Sequence, residues 1–467
     1  MTTTRVRNDR LRLALERAGL TYDQAAAAIR STAAEAGDVL RTNRSAVAHW
    51  VAGRPPSPST AAYIAEALSR RLGRHLTPAD FGWEGPGHGN GLDARLGLGI
   101  GPDPVDVVRR IGEADINRRK FLTGAAYSVA GAALPLGTAD ATAAEAAHRA
   151  TVPGVRKVGA TDIDAVRSML AAFTAIDERR GGLHGRPAMV QYLRTDVADL
   201  TRGRFAQESI RSEALTAAGA FAFLAGWKAY DAGEHGLAQR YYLQALGLAR
   251  EADNPLHQAW ILRIMAHNGL DISQPDHTLD LADTALDVAK GHAGPGILSM
   301  LVICRARALA HAGQGAEAVA EVRRAQDLAV RGEGDEMPYW LTLSGTPRAA
   351  VDTHAAKIFR VLRDHSNAEK QYAAAARSYG STNGGSLSRI TALSLAAQGR
   401  EQAAQGHLEM ACRTWEKAIG GFEGVYSDRA VKQVAGIRRR LAVFERRGVG
   451  AAVQLDERAR SWQVAHA

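Results

Sequence analysis

The chain has 467 residues, 46% of them hydrophobic and 23% charged, with a formal net charge of +9. At ~100–200 residues per domain this leaves room for two to four domains, enough for a substantial core. Two cysteines, Cys304 and Cys412, exclude a disulfide scaffold or a cysteine-rich zinc site and fit a reducing, cytoplasmic compartment. The opening residues, MTTTRVRNDR, contain no apolar stretch, so no signal peptide is expected there.

The charge is unevenly placed. Residues 1–75 hold twelve arginines against six acidic residues, a net +6, and the remaining 392 residues carry only +3. A small basic head on a nearly neutral body is the distribution of a nucleic-acid binder with a separate second domain.

Four short helices are expected in the head. The first, Asn8 to Ala18, puts Leu11, Leu13, Ala14 and Ala18 near one face and stops at Gly19. Thr21 and Gln24 have capping-box spacing before Ala25, Ala26, Ala28 and Ile29. After Gly37, Asn43 or Ser45 starts a short helix with Val47 and Trp50 on one side. Gly53, Pro55 and Pro56 end it, and Ser59 or Thr60 caps a fourth helix carrying Ile64, Ala67, Leu68 and Leu72.

Trp50 and Gly53 match the Trp-x-x-Gly-x-x-x-Pro that closes the recognition helix of Cro/repressor-type (XRE) helix-turn-helix regulators. Ser57 holds the proline position, between Pro56 and Pro58, and STAAEAGDVLRT makes the connection before the recognition helix unusually long. With His49-Trp50 and IAEALSRRLGR, the segment resembles an actinobacterial subfamily of such regulators. The resemblance implies double-stranded DNA as partner and a homodimer. Asn43, Arg44, Ser45 and Ala46 would lead into the major groove, with His49 one turn on. Arg41 and Arg54 would hold phosphates, and Val47 and Trp50 would be core.

Residues 82–104 contain eight glycines and three prolines, and a flexible linker is expected over 82–115. Residues 116–145 follow as an apolar bridging helix. Arg118-Arg119, Phe121-Leu122, the apolar run Phe121 to Leu136 and Ala139/Ala141 look like a twin-arginine export signal. A DNA-binding head upstream, a run short of the ~20 residues that span a bilayer, and its Gly/Ala content argue instead for a helix against the body. Membrane association of this stretch is the sharper alternative.

From 160 to 460 the pattern is helical throughout, and three segments superpose without gaps. Gly226, Ala306 and Gly399 are each followed by Gly233, Gly313 or Gly406, then Ala238, Ala318 or Ala411, then Tyr242, Val322 or Trp415, then Ala245, Ala325 or Ala418. Two weaker copies carry Ala282, Leu286 and Ala289, and Ala356, Ala368, Tyr372 and Ala375. Small residues at these offsets let paired helices approach closely while the bulky one fills the gap to the next pair. The pattern resembles the tetratricopeptide repeat. The expected fold is therefore all-α: a helix-turn-helix head, a flexible linker and a tetratricopeptide-like α-solenoid.

Inward positions of that repeat fall on Phe223, Trp227, Tyr230, His267, Met300, Arg307, Lys357, Arg360 and Arg400. The groove would be aromatic in its first half and basic in its second, suited to a peptide or an acidic small ligand. His267-Asn268 is a candidate backbone clamp. No HExxH, HxH, GxSxG or phosphate-loop motif occurs, so neither enzyme activity nor a metal or cofactor is expected. The function implied is a sequence-specific transcriptional regulator whose repeat domain senses a ligand or partner and mediates dimerisation. The alternative is a non-enzymatic interaction adaptor acting through the groove.

Overall fold

The computed structural model describes residues 7–35, 38–72, 76, 78–83, 98–100, 103–116, 127, 156–344, 346–382, 389–445 and 450–466. Among these the chain is nearly all helical, and its two strands, Lys157–Val158 and Arg204–Phe205, are one short parallel pair. The glycine-rich residues 84–97 and, apart from Ile116 and Tyr127, the apolar stretch 116–145 lie outside the described residues.

Four helices build the head: α1 (Asp9–Arg17), α2 (Tyr22–Glu35), α3 (Arg44–Val51) and α4 (Pro58–Leu72). Asn8 caps α1, its side-chain oxygen accepting from the Leu11 amide at 3.0 Å while its Nδ2 donates to Phe81 O at 2.9 Å. Thr21 and Gln24 form the reciprocal capping box, at 2.9 and 3.3 Å. Leu11, Leu15, Ile29, Val47, Trp50, Tyr63, Ile64 and Leu68 make one buried core.

Two expectations for the head change. Residues 31–35, expected within the connection, extend α2 because alanines and a glutamate favour helix, and Ala33 is fully buried. Ser57, rather than Ser59 or Thr60, caps α4, its hydroxyl accepting from the Thr60 amide at 3.3 Å with Pro58 in the first helical position.

The linker also ends earlier than composition suggests. Residues 104–116 form α5 (Pro104–Ile116), which buries Val105, Val107, Val108 and Ile111 in the core of the body. Asp103 caps it, accepting from the amides of Val105 and Asp106 at 3.0 and 3.2 Å. Just upstream, Leu98 is buried in the core of the head, while Gly99 O accepts from Gln244 Nε2 at 3.0 Å in the body.

The body continues with α6 (Ala160–Arg180) and α7 (Arg186–Tyr192), which runs on through a π-helical turn at Leu193–Val197. Then come helices joined pairwise by short turns. They are α8 (Glu208–Asp231) with α9 (His235–Glu251), α10 (Pro255–Asp271) with α11 (Thr278–Ala289), and α12 (Pro295–His311) with α13 (Gly315–Arg331). The chain goes on with α14 (Pro347–Val361) and α15 (His365–Thr382), α16 (Arg389–Ala404) and α17 (Leu408–Gly421), and α18 (Asp428–Glu445) and α19 (Gly450–Ala465). Each helix packs on its partner, and neighbouring pairs pack on one another.

The recurring small residues explain these pairs. Gly233, Gly313 and Gly406 end α8, α12 and α16 with φ of 78°, 81° and 86°, a region open to glycine at little cost. A Cβ at Gly226 would lie 2.5 Å from the Tyr242 ring, and one at Gly399 would lie 2.5 Å from Trp415 Nε1. Tyr242 and Trp415 thus occupy the space left by the missing side chains. Ala238, Ala318, Ala411, Ala245, Ala325 and Ala418 are all fully buried.

The array of pairs closes on its own beginning. Arg389, at the start of α16, donates to Asp177 of α6 at 2.9 Å and pairs with Asp231 of α8. Lys228 Nζ holds the other Asp177 oxygen at 3.1 Å, and the Gly182 amide donates to Asp231 at 2.8 Å. Tyr426 N donates to Arg180 O at 2.6 Å beside this contact. Helices α6 and α8 are thereby fastened to α16 and to the residues just before α18.

Candidate functional site

Two regions with clustered polar side chains are candidates for a site: the outer face of α3 and the inner wall of the body. On α3, Asn43 is the cap, its side-chain oxygen accepting from the Ala46 amide at 3.0 Å. The eight-residue helix buries Val47, Trp50 and Val51 and exposes Arg44, Ser45 and His49. Arg41, Asn43 and Arg54 are exposed at its ends, and Ala46 is partly covered. Arg30 of α2 donates to Thr42 O, fixing the loop that leads into the helix. The result is a short rigid helix whose outward face carries guanidinium, hydroxyl and imidazole groups, donors of the kind that read base edges or hold phosphates.

In the body, Asp271 at the end of α10 is the centre of a buried network. It pairs with Arg307 of α12, and Lys357 Nζ of α14 reaches its two oxygens at 3.0 and 3.2 Å. Tyr230 of α8 donates to Asp271, and His267 Nε2 lies 3.1 Å from it. Burial alone would raise the Asp271 carboxyl, but Lys357 and Arg307 hold it well below the usual range. Burial pushes His267 down to about 3, so its ring is neutral near pH 7. Lys357 is held down to about 7 by burial, with Arg307 and Arg429 adding to the effect of burial against the pull of Asp271.

A second layer surrounds this centre. Arg263 of α10 lies 4.2 Å over the Trp260 ring and donates to Met300 O at 3.2 Å, with His354 Nε2 at 3.4 Å. Arg429 of α18 sits over Tyr230 and Trp227, at 5.3 and 5.9 Å from their ring centroids.

Several residues expected to line an open groove are placed differently. Phe223 is core, with Tyr242 and Trp260 rings 5.7 and 6.4 Å away. Trp227 is buried and donates to Asp177 at 3.1 Å, and Met300 is fully buried. Asn268 is no free clamp: its amide holds His235, with contacts of 2.9 Å to Nδ1 and 3.3 Å to the backbone oxygen. These residues are taken up by neighbouring elements: Phe223 by α9 and α10, Trp227 by α6, and Asn268 by α9. Arg307 and Lys357 meet at Asp271 as described, Arg360 is exposed, and Arg400 is half-buried on Glu401 at 2.9 Å.

Sequence reasoning missed Asp271, Arg263, His354 and Arg429. Arg263 and Asp271 each stand four residues from His267, on the same face of α10, so extending the stripe one turn each way would have found both. Arg429 had no such signal, because closure of the array brings it there. Among the described residues no group of His, Cys, Asp and Glu is arranged to hold a metal ion. Both cysteines are buried, and burial raises their thiols. No helix among the described residues is long and apolar enough to cross a membrane.

Residues 11–84 match a protein family described as the SP15 N-terminal domain. The match covers the head from within α1 to just beyond the turn at Pro78–Phe81. No curated protein matches the chain.

Proposed function

We propose that the protein is a sequence-specific DNA-binding transcriptional regulator. Its head is a helix-turn-helix of the Cro/repressor type with α3 as recognition helix. Its body is a tetratricopeptide-like α-solenoid that senses a ligand and joins two copies into a homodimer. The observation that carries this reading is α3 itself: Arg44, Ser45 and His49 face outward, Arg41 and Arg54 flank them, and Val47 and Trp50 anchor the opposite side. The net +6 of residues 1–75 supplies the attraction to phosphates that any DNA site needs. The family match to the head alone supports treating the head as a unit separate from the body.

The test uses the full chain. Genome-wide mapping of bound sites yields an operator, and affinity for it is then measured against salt. Arg44→Ala is expected to lower specific affinity by ~1–3 kcal/mol, and Arg54→Ala to weaken binding evenly across sequences while reducing the salt slope by about one. Unchanged operator affinity in Arg44→Ala overturns the recognition helix. A chain that protects no DNA but retrieves a protein through residues 160–460 favours the adaptor.

A further inference from the structure

The inner wall of the body holds more positive charge than its own carboxylates balance. Arg263, Arg307, Lys357 and Arg429 come from four helices and converge there. Asp271 serves Arg307 and Lys357 together. The carboxylate nearest Arg429 is Asp231, at 3.7 Å and already bound to Arg389. Arg263 bonds to a backbone oxygen, a neutral histidine and the face of an indole, none of which carries charge. Cations removed from water without counter-charge are costly, so such a surplus calls for a further anion.

Two guanidinium atoms in this cluster have no acceptor. Arg307 Nε is buried and unpartnered, with the whole side chain only 4% exposed, and Arg429 Nη1 has no hydrogen bond. The cluster is reachable from solvent nonetheless, because the side chains of Lys357 and Arg429 are 18% and 25% exposed. Arg360 stands one turn beyond Lys357 and half-buried His311 one turn beyond Arg307, and burial lowers His311 with Arg307, Arg360 and Lys357 adding to the effect.

We propose that Lys357, Arg307 and Arg429 form a binding site for a small multivalent anion, a phosphoryl or polycarboxylate compound, on the inner wall between α10, α12, α14 and α18. Guanidinium forks and an ammonium arriving from different helices suit an oxyanion with several acceptor oxygens. Because the three cations lie on three helices, an occupied site ties α12, α14 and α18 together and favours one arrangement of the array over any other. The proposal deepens the reading of the body as a sensing domain, but the binding itself does not depend on DNA recognition.

The test is calorimetric titration of the full chain, without DNA, with pyrophosphate and with citrate, against sodium chloride at equal ionic strength. Saturable binding is expected, with a raised Tm. Lys357→Met and Arg429→Met should each weaken it roughly tenfold or more, while Arg44→Ala and Arg54→Ala in the head leave it unchanged. Preference for pyrophosphate or for citrate separates a phosphoryl ligand from a polycarboxylate. Titration of the wild-type chain with citrate, which is almost fully ionised near pH 7.5, in buffers of different ionisation enthalpy should also show proton uptake as Lys357 gains charge beside the anion. This reading needs no variant to fold. Binding no stronger than chloride, or binding kept at full strength in both body variants, overturns the site. Loss of DNA binding alone leaves it standing.

Discussion

Lys357 on α14 holds both oxygens of Asp271 on α10, at 3.0 and 3.2 Å, although 86 positions separate them in the chain. With Arg307 and Tyr230 on the same carboxylate, four helices meet at one charge. Asp271→Asn removes that charge and leaves Arg307 and Lys357 facing each other with no counter-ion. The expected loss is about 3–5 kcal/mol of unfolding free energy by urea titration, because a broken buried pair leaves uncompensated charge behind. Tyr230→Phe removes only one donor and should cost about 1 kcal/mol.

His257 gives the body a sensitivity to mild acid. It is fully buried, stacks on Trp340 with ring centroids 4.7 Å apart, and neither ring nitrogen has a hydrogen-bond partner. Burial lowers it from 6.5 to about 3. Between those values the unfolded chain binds a proton that the folded chain refuses, so stability rises with pH across that window and is lost as pH falls below about 6.5. His267 follows the same course. His257→Leu should flatten the dependence of Tm on pH between 6.5 and 4 by about one proton's worth, with the wild-type chain as reference. An unchanged slope would mean that the imidazole is not held neutral.

The glycines of the paired helices differ in what they do, and substitution separates the two roles. Gly399→Ala would place a Cβ 2.5 Å from Trp415 Nε1, forcing the indole out of its place against α16 and costing about 1–3 kcal/mol. Gly406→Ala meets no atom within 4 Å, but holds φ at 86° and should cost about 1–2 kcal/mol through backbone strain alone. Only the first should be relieved by shrinking its neighbour, so adding Trp415→Phe to each variant and comparing urea midpoints distinguishes packing from backbone.

Those glycines were legible because their role is local: seven residues from Gly399 to Gly406 and nine more to Trp415 define one helical pair. The head was legible for the same reason, as the Thr21–Gln24 box and the alternation of exposed Arg44 and buried Val47 and Trp50 lie within single helices. Closure of the array was not. Asp177 and Arg389 are 212 positions apart, and nothing near either one announces the other. Without closure Trp227 looks like the lining of an open groove, whereas it is buried on Asp177 beside Arg389. Helix α5 was legible and overlooked. Asp103-Pro104 is a helix start, and Val105, Val108 and Ile111 follow at helical spacing, but the glycines before them dominated the composition.

The docking of α5 combines the apolar contacts of Val105, Val107, Val108 and Ile111 with one buried ion pair, which can be tested by itself. Arg186, at the start of α7, reaches the two Asp115 oxygens from Nη2 and Nε at 2.5 and 3.1 Å, and also holds Glu234 at 2.7 Å. Tyr241 of α9 donates to the same carboxylate at 3.0 Å. Asp115→Leu leaves the Arg186 charge with only the half-exposed edge of Glu234, and Arg186→Met leaves Asp115 with only a phenol. Each should cost about 3–5 kcal/mol locally, while the double variant recovers most of that loss because neither charge is left behind. Hydrogen exchange over residues 104–116 reads the effect directly: fast exchange in either single variant, near wild-type protection in the double. Because Leu98 sits in the head and α5 follows it by only a few residues, the single variants should also loosen the head from the body. Protease cleavage between 98 and 116 is then expected in the single variants and not in the double.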